Sequence, residues 1–149
     1  MKNKLPEDVC VPITITNHRQ YLDILKKVRK ETAKIIIVQI DGLVKDDPII
    51  QTARQMMILE KRENVNRWLG TISHGWCAVQ YTFKMNWEFF DYLSDFESFF
   101  IVKSENPYYV ARTDFGLDDI AFLDQNEEIL FYTTTHEGHA YINKRLISE

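Results

Sequence analysis

A chain of 149 residues has the length of one domain and can bury a substantial core without disulfides, so we expect a single domain over residues 1–149. Its hydrophobic fraction of 45% and charged fraction of 27% are ordinary for a globular protein, and its 5 glycines and 4 prolines exclude collagen-like and low-complexity classes. No apolar run approaches the ~18–20 residues of a membrane span. The first residues lack the continuous apolar core of a signal peptide, and Cys10 and Cys77 are too few for a disulfide framework. We therefore expect a cytoplasmic protein with reduced thiols.

The charge is unevenly distributed along the chain. Residues 1–83 contain 13 Lys and Arg against 9 Asp and Glu, whereas residues 84–137 contain 3 against 12, a net charge of −9. Such a segment repels nucleic acids and anionic membranes and attracts basic protein surfaces. We expect its carboxylates to form one continuous exposed patch. The alternative is a solvated surface that only keeps the protein soluble.

The first elements along the chain are an extended segment and a helix. Residues 9–15 are rich in β-formers, but Pro12 has no N–H for a sheet ladder, so an edge strand or an extended arm is predicted. Asn17 is a predicted N-cap, with Gln20 in the capping-box position. The apolar spacing that follows predicts a helix over residues 18–31.

The next segments are a predicted buried strand and a predicted helix with an ambiguous end. Residues 34–40 are a short run of mostly β-branched apolar residues, typical of a buried strand. Asp47 and Pro48 have the N-cap and N1 pattern of a helix start. Beyond them, one long helix, two shorter helices and a strand through residues 56–60 all remain compatible with the sequence. Alternation over residues 75–83 predicts a strand with one buried side.

Residues 86–100, NWEFFDYLSDFESFF, predict an amphipathic helix that Asn86 opens. Its apolar stripe consists of Phe89, Leu93, Phe96 and Phe100 at helical spacing. Its acidic stripe consists of Glu88, Asp91 and Asp95 on the opposing arc, with Tyr92 near the acids.

The second half predicts a β-meander. Strand-like runs at residues 108–112, 120–123, 129–134 and 139–143 are separated by turn signals. Since the predicted helices precede most of these strands, we expect an α+β fold with N-terminal helices and strands and a C-terminal antiparallel β-meander.

No pattern in the chain points to a cofactor, a metal or a catalytic residue. His136 and His139 lie three residues apart, whereas a zinc-protease helix places its two histidines four apart. No glycine-rich phosphate loop is present. We therefore expect a protein that is not an enzyme. The alternative is a small enzyme that uses His74, His136 and His139 for acid/base chemistry.

The acidic helix, followed by the meander YYVARTDFG…IAFLD…ILFYTTTHEGHAYI, resembles small bacterial immunity proteins, the cytosolic antitoxins that neutralise a cognate toxin. The resemblance covers about half of the chain and is one of overall pattern. It implies an inhibitor that covers the basic active-site groove of a nuclease-like toxin with carboxylates in place of phosphates. The expected contact residues are Glu88, Asp91, Tyr92, Asp95, Asp118 and Asp119. We expect a monomer or a weak homodimer. A third alternative for the function is a structural homo-oligomer formed by the edge strand at residues 9–15.

Overall fold

The computed structural model describes residues 6–39, 48–69, 71–72, 78–99 and 118–147. Within these ranges the helices are α1 (Pro6–Val9), α2 (His18–Arg29), α3 (Pro48–Gln55) and α4 (Trp87–Ser94). The strands are β1 (Cys10–Ile13), β2 (Lys34–Gln39), β3 (Leu59–Val65), β4 (Arg67–Trp68), β5 (Thr71–Ile72), β6 (Ala78–Lys84), β7 (Asp119–Leu123), β8 (Ile129–Thr134) and β9 (His139–Asn143). None of the helices in these ranges is long and apolar enough to cross a bilayer.

Seven of the strands form one antiparallel sheet in the order β1-β9-β8-β7-β2-β6-β3, and β4 and β5 form a separate hairpin. Strands β7, β8 and β9 are consecutive in the chain and adjacent in the sheet, so the predicted meander and the α+β class are confirmed. Strand β1 lies at one edge and pairs only with β9 among the described strands. The predicted edge strand around Pro12 is therefore confirmed.

The central position of β2 follows from its composition. Its sequence KIIIVQ pairs with β6 on one side and β7 on the other, so both of its edges are covered. Ile35 and Ile37 are fully buried on one sheet face, in the cluster that also holds the apolar residues of α2 and α4. Val38 is buried in a separate cluster with Trp68. Continuous apolar sequence suits a strand that is buried on both faces.

Helix α2 begins where its sequence predicts. The Asn17 side chain accepts a hydrogen bond from the Gln20 backbone N–H at 2.9 Å, as an N-cap does. The Gln20 side chain accepts from the Thr16 backbone N–H at 2.6 Å, one residue earlier than in a standard capping box. The Tyr21 hydroxyl donates to the Leu93 carbonyl at 2.5 Å and so ties α2 to α4.

The ambiguous segment after Pro48 contains a strand, but it begins three residues later than the predicted strand over residues 56–60 and continues to Val65. Helix α3 ends at Gln55, and β3 begins at Leu59, so the one-helix and two-helix interpretations are wrong. Between them, Met57 adopts the left-handed conformation with φ 58°, and the Ile58 N–H bonds to the Ala53 carbonyl at 3.2 Å. With the Met57 N–H bonded to the Arg54 carbonyl at 3.0 Å, this is the Schellman pattern that closes a helix.

Several predictions fall outside the described residues. They are the strand at residues 108–112, the apolar-stripe residue Phe100, the helix-start residue Asp47, and Cys77 on the strand at residues 75–83. Over residues 78–83 that strand is confirmed by β6, in which Val79, Tyr81 and Phe83 are buried in one cluster and Gln80 and Thr82 are half-buried, while Ala78 is buried in a separate cluster.

Candidate protein-binding face

Helix α4 is held in one orientation by its cap and its apolar side. The Asn86 side chain accepts from the Phe89 N–H at 2.9 Å and thereby starts the helix. Phe89 and Phe90 are buried, and their rings lie 5.5 Å from the rings of Phe83 and Phe122, respectively. Because two rings of the helix pack on two strands of the sheet, its opposite side must face outward.

Three carboxylates lie on that outward side. Glu88, Asp91 and Asp95 are all exposed, and none of them forms a salt bridge within the part of the chain that the structure describes. At about 100° per residue they share an arc of about 60° on the helix surface. We refer to Glu88, Asp91 and Asp95 as the acidic face of α4. The predicted amphipathic helix is confirmed over Trp87–Ser94, but residues 95–99 are not helical, so the helix ends earlier than the sequence predicts.

The structure places Tyr92 at the border between the acidic face and the core. Its ring lies 5.8 Å from that of Phe89 and 5.4 Å from that of Phe96, and its hydroxyl oxygen is buried. Burial raises the pKa of Tyr21 well above its ordinary value, and Tyr92 and Asp95 also lie near Tyr21, where they add to this effect. Tyr92 therefore offers a partner less surface than the sequence predicts.

Asp118 and Asp119 are not on the surface, so the expectation that they are exposed is wrong. Their relative exposures are 8% and 3%. The Asp119 carboxylate accepts from the Trp68 indole N–H at 2.8 Å and from the Thr135 backbone N–H at 2.6 Å. A buried charge is stable only when such donors surround it, so Asp119 fixes the β4–β5 hairpin to the sheet. The two aspartates therefore do not belong to an exposed contact surface.

A cavity lies next to Asp119 on the sheet face opposite α2 and α4. It has a volume of about 40 Å³ and is lined mainly by apolar atoms, with Ile36, Val38, Trp68 and Tyr132 among its walls. Because Trp68 and Asp119 both line it, this cavity lies where the β4–β5 hairpin meets the sheet.

Most other described carboxylates of the acidic segment are paired. Arg145 contacts Asp124 at 2.8 Å and Glu128 at 3.4 Å, and it also contacts Glu31 of the first half at 2.5 Å. Glu127 lies 3.6 Å from Lys34. Two further carboxylates lie near histidines: Glu137 is 3.6 Å from His139, and Glu97 is 3.9 Å from His18. One continuous acidic patch is therefore the wrong expectation, because the described carboxylates are divided between buried, paired and free positions.

The histidines of the enzyme alternative do not form a described site. His139 is exposed, and its Nδ1 lies 3.6 Å from the Glu137 carboxylate. His136 lies in a short 3-10 turn, Thr135–Glu137, and His74 lies outside the described residues. Among the described side chains, no three His, Cys, Asp or Glu converge in a way that could hold a metal ion.

One exposed residue beside the acidic face was not singled out from the sequence. Trp87 is 59% exposed and is the first residue of α4. It lies four residues before Asp91, about 40° away around the helix. The Arg29 guanidinium lies over its ring, 5.5 Å from the centroid. The same helical spacing that gave the acidic stripe, extended by one turn toward the N-terminus, would have found it.

Comparison of the chain with models of protein families, with curated proteins and with solved structures found no match.

Proposed function

We propose that this chain is an acidic protein-binding module of the immunity-protein type, which neutralises a basic, nuclease-like toxin in the cytoplasm by covering its active-site groove. The observation that carries the proposal is the acidic face of α4. Its three carboxylates are exposed and form no salt bridge in the described part of the chain, while Asp124, Glu127 and Glu128 of the same acidic segment form salt bridges with Arg145 or Lys34.

Unpaired carboxylates on a rigid helix are suited to a cationic partner. They are already fixed in space by the Asn86 cap and the buried rings of Phe89 and Phe90, so their alignment is not lost in the free protein. Charges of this kind accelerate encounter with an oppositely charged surface, up to ~10⁸–10⁹ M⁻¹s⁻¹ at low salt. In a nuclease, the same cationic groove would otherwise hold phosphates.

The test is a charge reversal with a control of equal charge. Asp91→Lys/Asp95→Lys changes two carboxylates of the acidic face. Asp23→Lys/Glu60→Lys makes the same change in net charge on α2 and β3, where both side chains are exposed. Each form is used as bait in an extract of the source cells, and the basic proteins it retains are assayed for nuclease activity with added wild-type chain.

We expect a basic protein that wild type and the control retain and that the Asp91→Lys/Asp95→Lys form loses. Its nuclease activity should fall to background at about one equivalent of wild-type chain. Retention of the same proteins by all three forms, or undiminished nuclease activity, would overturn the proposal.

A further inference from the structure

The exposed indole of Trp87 and the carboxylates of the acidic face point in similar directions. Measured around the helix, Trp87, Asp91, Asp95 and Glu88 follow one another within about 100° of arc. A partner that contacts the carboxylates therefore also meets the indole ring. A single exposed apolar side chain is ordinary on a protein surface, so the environment of this ring decides whether it has a role.

Arg29 holds the Trp87 ring in place. Its guanidinium carbon lies 5.5 Å from the ring centroid, at the distance of a cation–π contact. The Arg29 Nε is buried and makes no hydrogen bond, and Arg29 forms no salt bridge to any described residue. The contact with the indole is therefore the one interaction of this guanidinium seen among the described residues, and it restricts both side chains. A ring held in this way loses less side-chain entropy when a partner binds.

We propose that Trp87, held by Arg29, is the apolar anchor of the docking surface whose charged part is the acidic face. This inference rests on the proposed function and specifies the partner it requires. Tryptophan is among the residues that contribute most to binding when they become fully buried, while charges at the rim mainly affect the rate of encounter. The two parts of the surface therefore act on different steps of binding.

The geometry defines what the partner must present. Asp91 and Asp95 lie four and eight residues beyond Trp87, which corresponds to about 6 Å and about 12 Å along the helix axis. The matching surface is that of a basic protein with an apolar side chain opposite Trp87 and cationic side chains at these two distances. Arg29 disfavours a cation opposite the ring itself, so the charges fix the direction in which the partner lies along α4.

Two synthetic peptides of equal charge test the anchor. Both carry the same lysines at this spacing, and the position facing Trp87 is leucine in one and serine in the other. Their dissociation constants are measured by fluorescence anisotropy at about 20 mM and about 200 mM NaCl, which changes the screening of the charges. The protein variants are wild type, Trp87→Ala, Trp87→Gln, Arg29→Gln and, as control, Met57→Ala, which removes an apolar side chain that is 86% exposed elsewhere.

We expect wild type and Met57→Ala to bind the leucine peptide about tenfold more tightly than the serine peptide. This preference should fall below about threefold in both Trp87 variants and should be reduced in Arg29→Gln. Raising the salt concentration should weaken the binding of both peptides and leave the ratio of their dissociation constants unchanged. Equal binding of the two peptides to wild type, or a preference that survives in Trp87→Gln, overturns the anchor.

Failure of the proposed function gives a different result. In that case, wild type and Asp91→Lys/Asp95→Lys bind the serine peptide with the same dissociation constant, and salt changes this constant in neither protein. A third result separates the two proposals. If the serine peptide binds wild type in a salt-dependent way, loses this binding in Asp91→Lys/Asp95→Lys, and binds as tightly as the leucine peptide, then the acidic face is the binding surface and Trp87 is not its anchor.

Discussion

Replacing Asp119 by alanine tests whether this carboxylate is a buried structural group rather than a contact residue. The Asp119 carboxylate accepts hydrogen bonds from the Trp68 indole and the Thr135 backbone N–H, and only 3% of the residue is exposed. In Asp119→Ala both donors lose that acceptor. A buried donor left without its partner costs about 1–3 kcal/mol, so the free energy of unfolding should fall by about 2–5 kcal/mol.

The loss should be visible in thermal and chemical denaturation. For a protein of this size each kcal/mol lowers Tm by about 2–4 °C, which predicts a decrease of about 4–20 °C for Asp119→Ala. Asp119→Asn keeps one acceptor oxygen and should lose about half as much free energy. Urea denaturation followed by circular dichroism at neutral pH measures both variants.

The matched control is Asp91→Ala, which removes an exposed carboxylate. Its free energy of unfolding should remain within about 0.5 kcal/mol of the wild-type value. If Asp119→Ala also stays within about 1 kcal/mol of wild type, the carboxylate does not fix the hairpin, and the reasoning that removes it from the contact surface fails.

Three further predictions concern stability. Burial, with Glu128 adding to it, raises the pKa of the Cys10 thiol to about 11, so the folded state keeps a proton that the unfolded chain loses near pH 9. Cys77→Ser and Cys77→Ser/Cys10→Ala are compared by denaturation between about pH 9 and pH 11. Over this range the free energy of unfolding of Cys77→Ser should fall by about 1–2 kcal/mol more than that of the double variant. Parallel pH profiles of the two forms would contradict this. Arg145→Ala should lower the free energy of unfolding by about 0.5–1 kcal/mol at low salt and by less at high salt. The control is Lys27→Ala, which should change it little because Lys27 is exposed and has no salt bridge among the described residues. Thermal melts that show equal losses for the two variants would refute the role of the Arg145 contacts. Asn86→Ala should lower the free energy of unfolding by about 1 kcal/mol, and Asn86→Ser should restore most of it; urea curves that do not distinguish Asn86→Ala from wild type would count against the cap.

The elements predicted correctly are those whose signals are local. Asn17 and Asn86 cap their helices through hydrogen bonds to residues three positions later, and such short-range geometry is encoded in adjacent residues. The run at residues 34–40 predicts a buried strand because β-branched residues without polar interruption suit a strand covered on both faces. The meander follows from turn residues placed between short strand-like runs.

The end of α3 could not be predicted because the expected residue is absent. A Schellman ending usually has glycine in the left-handed position, but this chain has Met57 there with φ 58°. Without a glycine, the apolar spacing gave no reason to stop the helix at Gln55. Burial of Ile58 at 5% exposure supports the motif instead, because its side chain packs where the chain leaves the helix.

The candidate site was predicted only where a single helix determines it. Glu88, Asp91 and Asp95 are placed by helical periodicity, which is visible in the sequence. Asp119 is placed by a contact with Trp68, 51 positions away, and no count of charges along the chain shows that a carboxylate has such a partner. Net charge therefore predicts the sign of a partner but not which carboxylates are available to it.

The central claim is that a basic protein binds the acidic face of α4, and cross-linking of carboxylates to amines tests it most directly. A carbodiimide joins an Asp or Glu side chain to a lysine without a spacer, so only groups already in contact react. Wild-type chain is treated in an extract of the source cells and digested with trypsin, which releases residues 85–103 as one peptide.

The predicted result is a cross-link between this peptide and a lysine of a basic protein, located at Asp91 or Asp95. The cross-link should disappear at high salt and persist in Asp23→Lys/Glu60→Lys. Cross-links distributed evenly over exposed carboxylates such as Glu60 and Glu137, with none at Asp91 or Asp95, would contradict the claim that α4 is the binding element.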